Sequence, residues 1–236
     1  MKLSAISDRE LLALPIRDLH LSIEHSELEP RVRRLYRELA RKGLAIRPVC
    51  YLGDEWFSPE DTPLISIPFY LAHPRLKALE RKMMGEVEGG DARSCMRLLR
   101  HECGHAVEHA YRLHTRARRR ALFGSRGGYH PDRYRKRPRS RSYVRYLPDL
   151  YAQAHPDEDF AETFAVWLDP DSRWRSRYRG WKALEKLEYL DALMEEVAGQ
   201  APKVKRGFRE YSANRMAMTL ESFYRQRRPR VARRLP

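Results

Sequence analysis

The sequence predicts an α+β fold, with a small mixed sheet in an N-terminal α/β part (about 1–90) and a mostly helical part after it (about 91–236). Two observations carry this. Segments 45–52 and 64–71 are rich in Ile, Val and Tyr and are bounded by turn formers, whereas apolar residues after position 90 recur at helical spacing. The chain is long enough to bury a full core, and it is read as one domain over 1–236.

The elements follow in order. Pro30 to Gly43 reads as an amphipathic helix with Val32, Leu35, Tyr36 and Leu39 on one stripe and Gly43 as its stop. Ala45 to Leu52 and Leu64 to Leu71 read as strands, separated by the turn formers Gly53-Asp54 and Ser58-Pro59. Pro68 argues that the second strand lies at an edge. Arg93 to Arg112 reads as a helix with Leu98, Leu99 and Ala106 toward the core. Positions 115–150 read as a basic loop, interrupted by Gly124, Gly127, Gly128, Pro131 and Pro138. Pro156 opens a further helix, Trp181 to Ala198 forms another, and Tyr211 to Tyr224 is expected to form the last.

Within the helix at 93–112 stands His101-Glu102-Cys103-Gly104-His105, an HExxH motif. Residues four apart on a helix differ by only about 40° around the axis, so both imidazoles project from one face. Two neutral imidazole nitrogens at that spacing suit Zn²⁺. Glu102 lies beside them, where a carboxylate can take a proton from water that the metal activates. Cys103 falls on another face and is expected to pack.

A catalytic zinc needs a third protein ligand. The long HExxH form would place Gly at 108 and His at 111, but these are Glu108 and Tyr111. The helix opened by Pro156 supplies carboxylates instead. Phe160 and Phe164 share one face, Glu158 and Glu162 another, and Ala161 and Ala165 are small enough to let a neighbouring helix approach. Glu158 reads as the third ligand, with Asp157 and Asp159 as alternatives. Glu162 would accept a hydrogen bond from the free ring N–H of a ligating histidine.

HECGHAVEHA, followed after a gap by Tyr151 seven residues before Glu158 in EDFAE, resembles the gluzincin arrangement. Around these residues the chain is similar to the catalytic domain of anthrax lethal factor. A fuller resemblance, over about 20–200, is to a bacterial family of zinc-binding metallopeptidases. Its members share stretches like Asp54–Pro59, Ile67–Leu71 and His155–Glu162. The resemblance implies a zincin-like fold, with the strand at 64–71 as a candidate border of the cleft. It implies His101, His105 and Glu158 as zinc ligands and Glu102 as general base. Glu162 becomes the carboxylate behind a ligand, and Tyr151 a candidate oxyanion stabiliser; apart from the resemblance, the basic loop offers Tyr143 and Tyr146 as weaker candidates. Some relatives carry an N-terminal zinc ribbon, and no CxxC pair stands here.

Composition narrows the setting. At 42% apolar and 33% charged residues the chain is expected to be soluble, with no secretory signal and no membrane-spanning run. Cys50, Cys95 and Cys103 form no disulfide framework, so a reducing cytoplasm is expected. The net charge of +15 is uneven: 115–150 holds twelve Lys/Arg against Asp132 and Asp149, and 225–234 is again Arg-rich. Basic residues interleaved with Tyr129, Tyr134, Tyr143 and Tyr146 suit nucleic acid or another polyanion as well as a plain solvated loop. Three classes therefore compete. They are a cytoplasmic zinc peptidase acting on peptides or proteins, a nucleic-acid-associated protease docked through the basic loop, and a non-enzymatic polyanion binder with a structural metal.

Overall fold

The computed structural model describes residues 3–125 and 134–234. Nine helices are formed among them: α1 Asp8–Ala13, α2 Leu28–Arg41, α3 Pro74–Met84, α4 Ala92–Tyr111, α5 Ala117–Phe123, α6 Pro156–Leu168, α7 Trp174–Arg177, α8 Ala183–Val197 and α9 Leu220–Arg234. Two strands, β1 Val49–Gly53 and β2 Leu64–Pro68, pair in parallel from Val49↔Leu64 to Gly53↔Pro68. This is the expected α+β composition. No helix among the described residues is long and apolar enough to cross a membrane.

Both strands are shorter than the sequence suggests. Pro68 has no N–H to give to a ladder, and the chain turns into a 3-10 helix at Phe69–Ala72. The outer edge of β2 is not open as expected. The Ser66 N–H donates to Phe57 O at 2.8 Å, and Ser66 Oγ donates to Glu55 O at 2.8 Å. The return segment 54–63 thus covers the middle of the edge that was the candidate border of the cleft.

Helix α4 forms the centre. Leu99, Cys103, Ala106, Val107 and Ala110 are buried along it, against α6 on one side and α2 on another. Helix α2 contributes Leu28, Val32, Leu35 and Leu39, and α8 contributes Leu187, Leu190, Leu193 and Met194. Each such side chain contributes on the order of 1.5–3 kcal/mol by leaving water.

The last helix begins at Leu220, nine residues later than the apolar pattern suggests. Residues 216–219 are held extended against the N-terminal segment: the Ile16 N–H donates to Met218 O, and the Arg17 N–H to Met216 O. Thr219 then caps the helix, its Oγ1 accepting from the Ser222 N–H at 3.2 Å.

The basic segment 115–150 is not a plain loop. It contains α5, and Arg119 within it is fully buried. Arg126, Tyr129 and Arg133, counted above among its basic and aromatic residues, lie outside the described residues.

Candidate metal centre

Helices α4 and α6 build the site because each is fixed at its start and the two touch backbone to backbone. Asp91 caps α4, its Oδ1 accepting from the N–H groups of Arg93 (2.8 Å) and Ser94 (3.0 Å). His155 caps α6 with Nδ1, which accepts from the Asp157 N–H at 3.2 Å, and Pro156 opens the first turn. At their crossing a Cβ on Gly104 would stand 2.8 Å from Ala161 Cα and 3.0 Å from its carbonyl oxygen. Glycine is therefore what permits this approach.

The crossing brings Glu158 to the two imidazoles. His101 and His105 lie with ring centroids 5.0 Å apart. Glu158 Oε2 lies 2.9 Å from His101 Nε2 and 3.3 Å from His105 Nε2. One ligand atom from each of the three falls within 4.8 Å of the others, a set able to hold a metal ion. All three side chains are largely buried.

Behind His101 stands Glu162. Its Oε1 lies 3.0 Å from His101 Nδ1, and its Oε2 accepts the Leu147 N–H at 2.8 Å. A ring proton on Nδ1, donated to Glu162, would leave Nε2 as the nitrogen free to ligate a metal ion. Two nitrogen donors and one oxygen donor in a buried cluster, one donor oriented from behind, fit Zn²⁺ chemically.

Electrostatics show what the cluster costs without a cation. Burial disfavours a charged His101, but Glu158 and Glu162 outweigh it and raise the pKa well above the ordinary imidazole value. His105 is raised too, with Glu158 overcoming burial. The Glu102 carboxyl is buried, which raises its pKa, while His101 and His105 pull it down.

Tyr151 comes to the cluster, its ring centroid 5.6 Å from that of His101. It follows Asp149 and Leu150, both at positive φ (62° and 60°). Left-handed backbone at non-glycine residues costs roughly 1–2 kcal/mol each, and contacts hold the turn. Tyr134 donates its hydroxyl to Asp149 O at 2.7 Å, and Lys136 pairs with the Asp149 carboxylate at 2.5 Å. Tyr134 itself lies within electrostatic reach of Glu162 and Glu158, after burial and Asp149 the causes that push its pKa up to about 12. Sequence reasoning placed Tyr134 only in the basic loop.

Several expected residues go elsewhere. Tyr146 accepts from Arg100 Nη1 at 3.0 Å and donates to Asp169 Oδ2 at 3.2 Å, in a buried network with Glu38. The Tyr143 ring lies under Lys186 Nζ at 4.5 Å. Asp157 pairs with Arg119 Nη2 at 2.7 Å, and Asp159 pairs with Lys186. None of these four belongs to the cluster. Cys103 is buried as packing, and its thiol pKa is raised by that burial.

Arg119 is the residue the sequence hid. From α5 it donates to Glu108 Oε1 on α4 (2.7 Å), to Asp157 Oδ1 on α6 (2.7 Å) and to Gly124 O (2.7 Å). It therefore ties the end of the histidine helix to the turn that carries Glu158. Nothing in its surroundings in sequence separates it from the other arginines of the segment.

Among the remaining predicted polyanion contacts, Arg116 pairs with Glu196, Lys136 with Asp149, and Arg227 with the buried Glu80. These ion pairs neutralise part of both basic segments.

The arrangement is that of a chain presenting two imidazoles and a carboxylate from two crossed helices. Residues 18–197 match the model of the family described as "Putative zinc-binding metallo-peptidase", and the chain belongs to that family. Comparison with curated proteins and with solved structures gives no match.

Proposed function

We propose that the protein is a zinc-dependent metallopeptidase of zincin-like build, with His101, His105 and Glu158 as the metal ligands. The observation that carries this is Glu158 Oε2, held across the helix crossing between the two Nε2 atoms. Family membership supports the reaction class and, through it, a peptide or protein substrate. The likeness to the lethal factor catalytic domain rests on the motif residues alone.

Zinc bound there would lower the pKa of a water toward about 7 and polarise a peptide carbonyl. Glu162 keeps the His101 ring oriented by accepting its Nδ1 proton, so that Nε2 is the nitrogen that would ligate zinc. Glu102 takes the proton of the attacking water and returns it to the leaving amine. Its buried carboxyl, with a raised pKa, suits a group that must both accept and release a proton. Tyr151 donates its hydroxyl to the developing oxyanion, steadied by the turn that Tyr134 and Lys136 hold.

Glu102→Gln tests the division of roles. It should abolish turnover on a peptide library while one zinc per chain is retained. A variant that still cleaves at near the wild-type rate contradicts the assignment of Glu102.

A further inference from the structure

Cations gather beyond the C-terminal end of α6. Lys42, Arg173, Arg175 and Arg179 line a cavity of about 380 Å³ together with the largely buried Trp167 and Trp174, whose ring faces Lys42 and Arg175 cover. The acidic groups here are already engaged. Asp169 Oδ2 is taken by Arg100 Nη1 at 3.0 Å and the Tyr146 hydroxyl at 3.2 Å, and its Oδ1 by the Asp171 N–H at 3.1 Å. Asp191, beside the cavity, accepts from Trp167 Nε1 at 2.6 Å and pairs with Arg175 at 2.5 Å. Lys42, Arg173 and Arg179 make no ion pair among the described residues.

Lys42 separates this from an ordinary basic surface. An exposed lysine keeps its ammonium in water, but Lys42 is half-buried with its Nζ 4.3 Å over the Trp167 ring. Burial pushes its pKa down, Asp191 acts against that, and the neighbouring Arg175 charge adds to the lowering. Like charges crowded into a partly desolvated wall cost free energy that an anion between them would offset.

We propose that this cavity binds a small organic phosphate. Its phosphoryl group would lie among Lys42, Arg173 and Arg179, and its organic part against Pro170 and the lining beside the two tryptophans. Three cations without an ion pair among the described residues call for more than one negative charge, and guanidinium forks match phosphate oxygens two at a time. The volume lies within the range of small-molecule sites and leaves room for a ring beside the phosphoryl group. The site is separate from the histidine cluster, since Asp169 lies beyond Glu162 at the far end of α6. The proposal therefore does not depend on the peptidase reading.

The test is isothermal titration of the full chain with phenyl phosphate at low ionic strength, followed in parallel by tryptophan emission. One saturable site is expected, with a change in emission as the ligand reaches Trp167 and Trp174. Arg173→Ala/Arg179→Ala, which removes two exposed side chains, should weaken binding at least about tenfold, or about 1.4 kcal/mol. Lys42→Met should weaken it similarly. Arg9→Ala/Arg93→Ala, which removes the same charge from exposed positions elsewhere, should leave it unchanged. Absence of saturable binding overturns the proposal, as does equal weakening in the two double variants, which would indicate net charge alone. Benzoate binding as tightly as phenyl phosphate overturns the phosphate class.

Discussion

Gly104 on α4 lies so close to Ala161 on α6 that a Cβ at 104 would stand 2.8 Å from Ala161 Cα. That distance sets the site. Glu158 lies one helical turn before Ala161, and Gly104 lies beside His105 and three residues after His101. A separation wider by even a fraction of an ångström would draw the carboxylate away from both imidazoles.

Gly104→Ala should therefore act on metal binding as well as stability. Overpacking a helix contact costs typically about 1–3 kcal/mol, and here the atoms met are backbone and cannot swing aside. We expect a lower melting temperature together with zinc affinity reduced by about tenfold or more. Titration with a competing chelator measures it. Wild-type affinity in this variant would show that the crossing distance does not govern the ligands.

Arg119→Met should be more damaging than its place in a basic segment suggests. It removes the ion-pair partner that buried Glu108 has among the described residues, and one of the partners of Asp157. Removing one partner of a buried pair costs on the order of 3–5 kcal/mol. Chemical denaturation should show a loss of that size, and Arg120→Met, one residue on and exposed, should stay within about 0.5 kcal/mol of wild type. Equal, small effects would remove Arg119 from its role of joining the two helices.

Much of the site was legible because helical periodicity is a local rule. Four-residue spacing placed His101 with His105 and Glu158 with Glu162 on faces that meet in the structure, and small residues in α6 announced a close neighbour. What stayed hidden depends on partners distant in sequence. The need for glycine at 104 appears only once Ala161 faces it. Arg119 looks like any arginine of its segment until Glu108 and Asp157 enclose it. Tyr134 and Tyr146 were alike as loop tyrosines, yet one holds the turn before Tyr151 and the other joins Arg100 and Asp169. The strands and the last helix were misjudged at their ends, where Pro68 and the pairing of 216–219 with the N-terminal segment override apolar pattern.

The pH dependence of stability should reverse with metal. His101 and His105 have folded-state pKa values above the ordinary imidazole value of 6.5. Their contribution is fully present below 6.5 and is lost as pH rises through the raised values. Glu108 and Asp159, each pushed up to about 7 by burial, act in the same direction. The metal-free protein should thus lose stability from pH 5.5 to 8. Zinc needs unprotonated imidazoles, so its stabilisation should grow over the same interval. Melting curves with zinc and with chelator should diverge as pH rises. A gap that is constant or narrows would contradict the protonation states assigned to the cluster.

The most direct test of the His101–His105–Glu158 centre is zinc content by elemental analysis, on protein purified without a metal-binding tag. Wild type should carry about one zinc per chain, and Glu158→Ala a small fraction of that while keeping its helical circular dichroism. Wild type without zinc after reconstitution, or a folded Glu158→Ala that retains its full complement, would contradict the proposed centre.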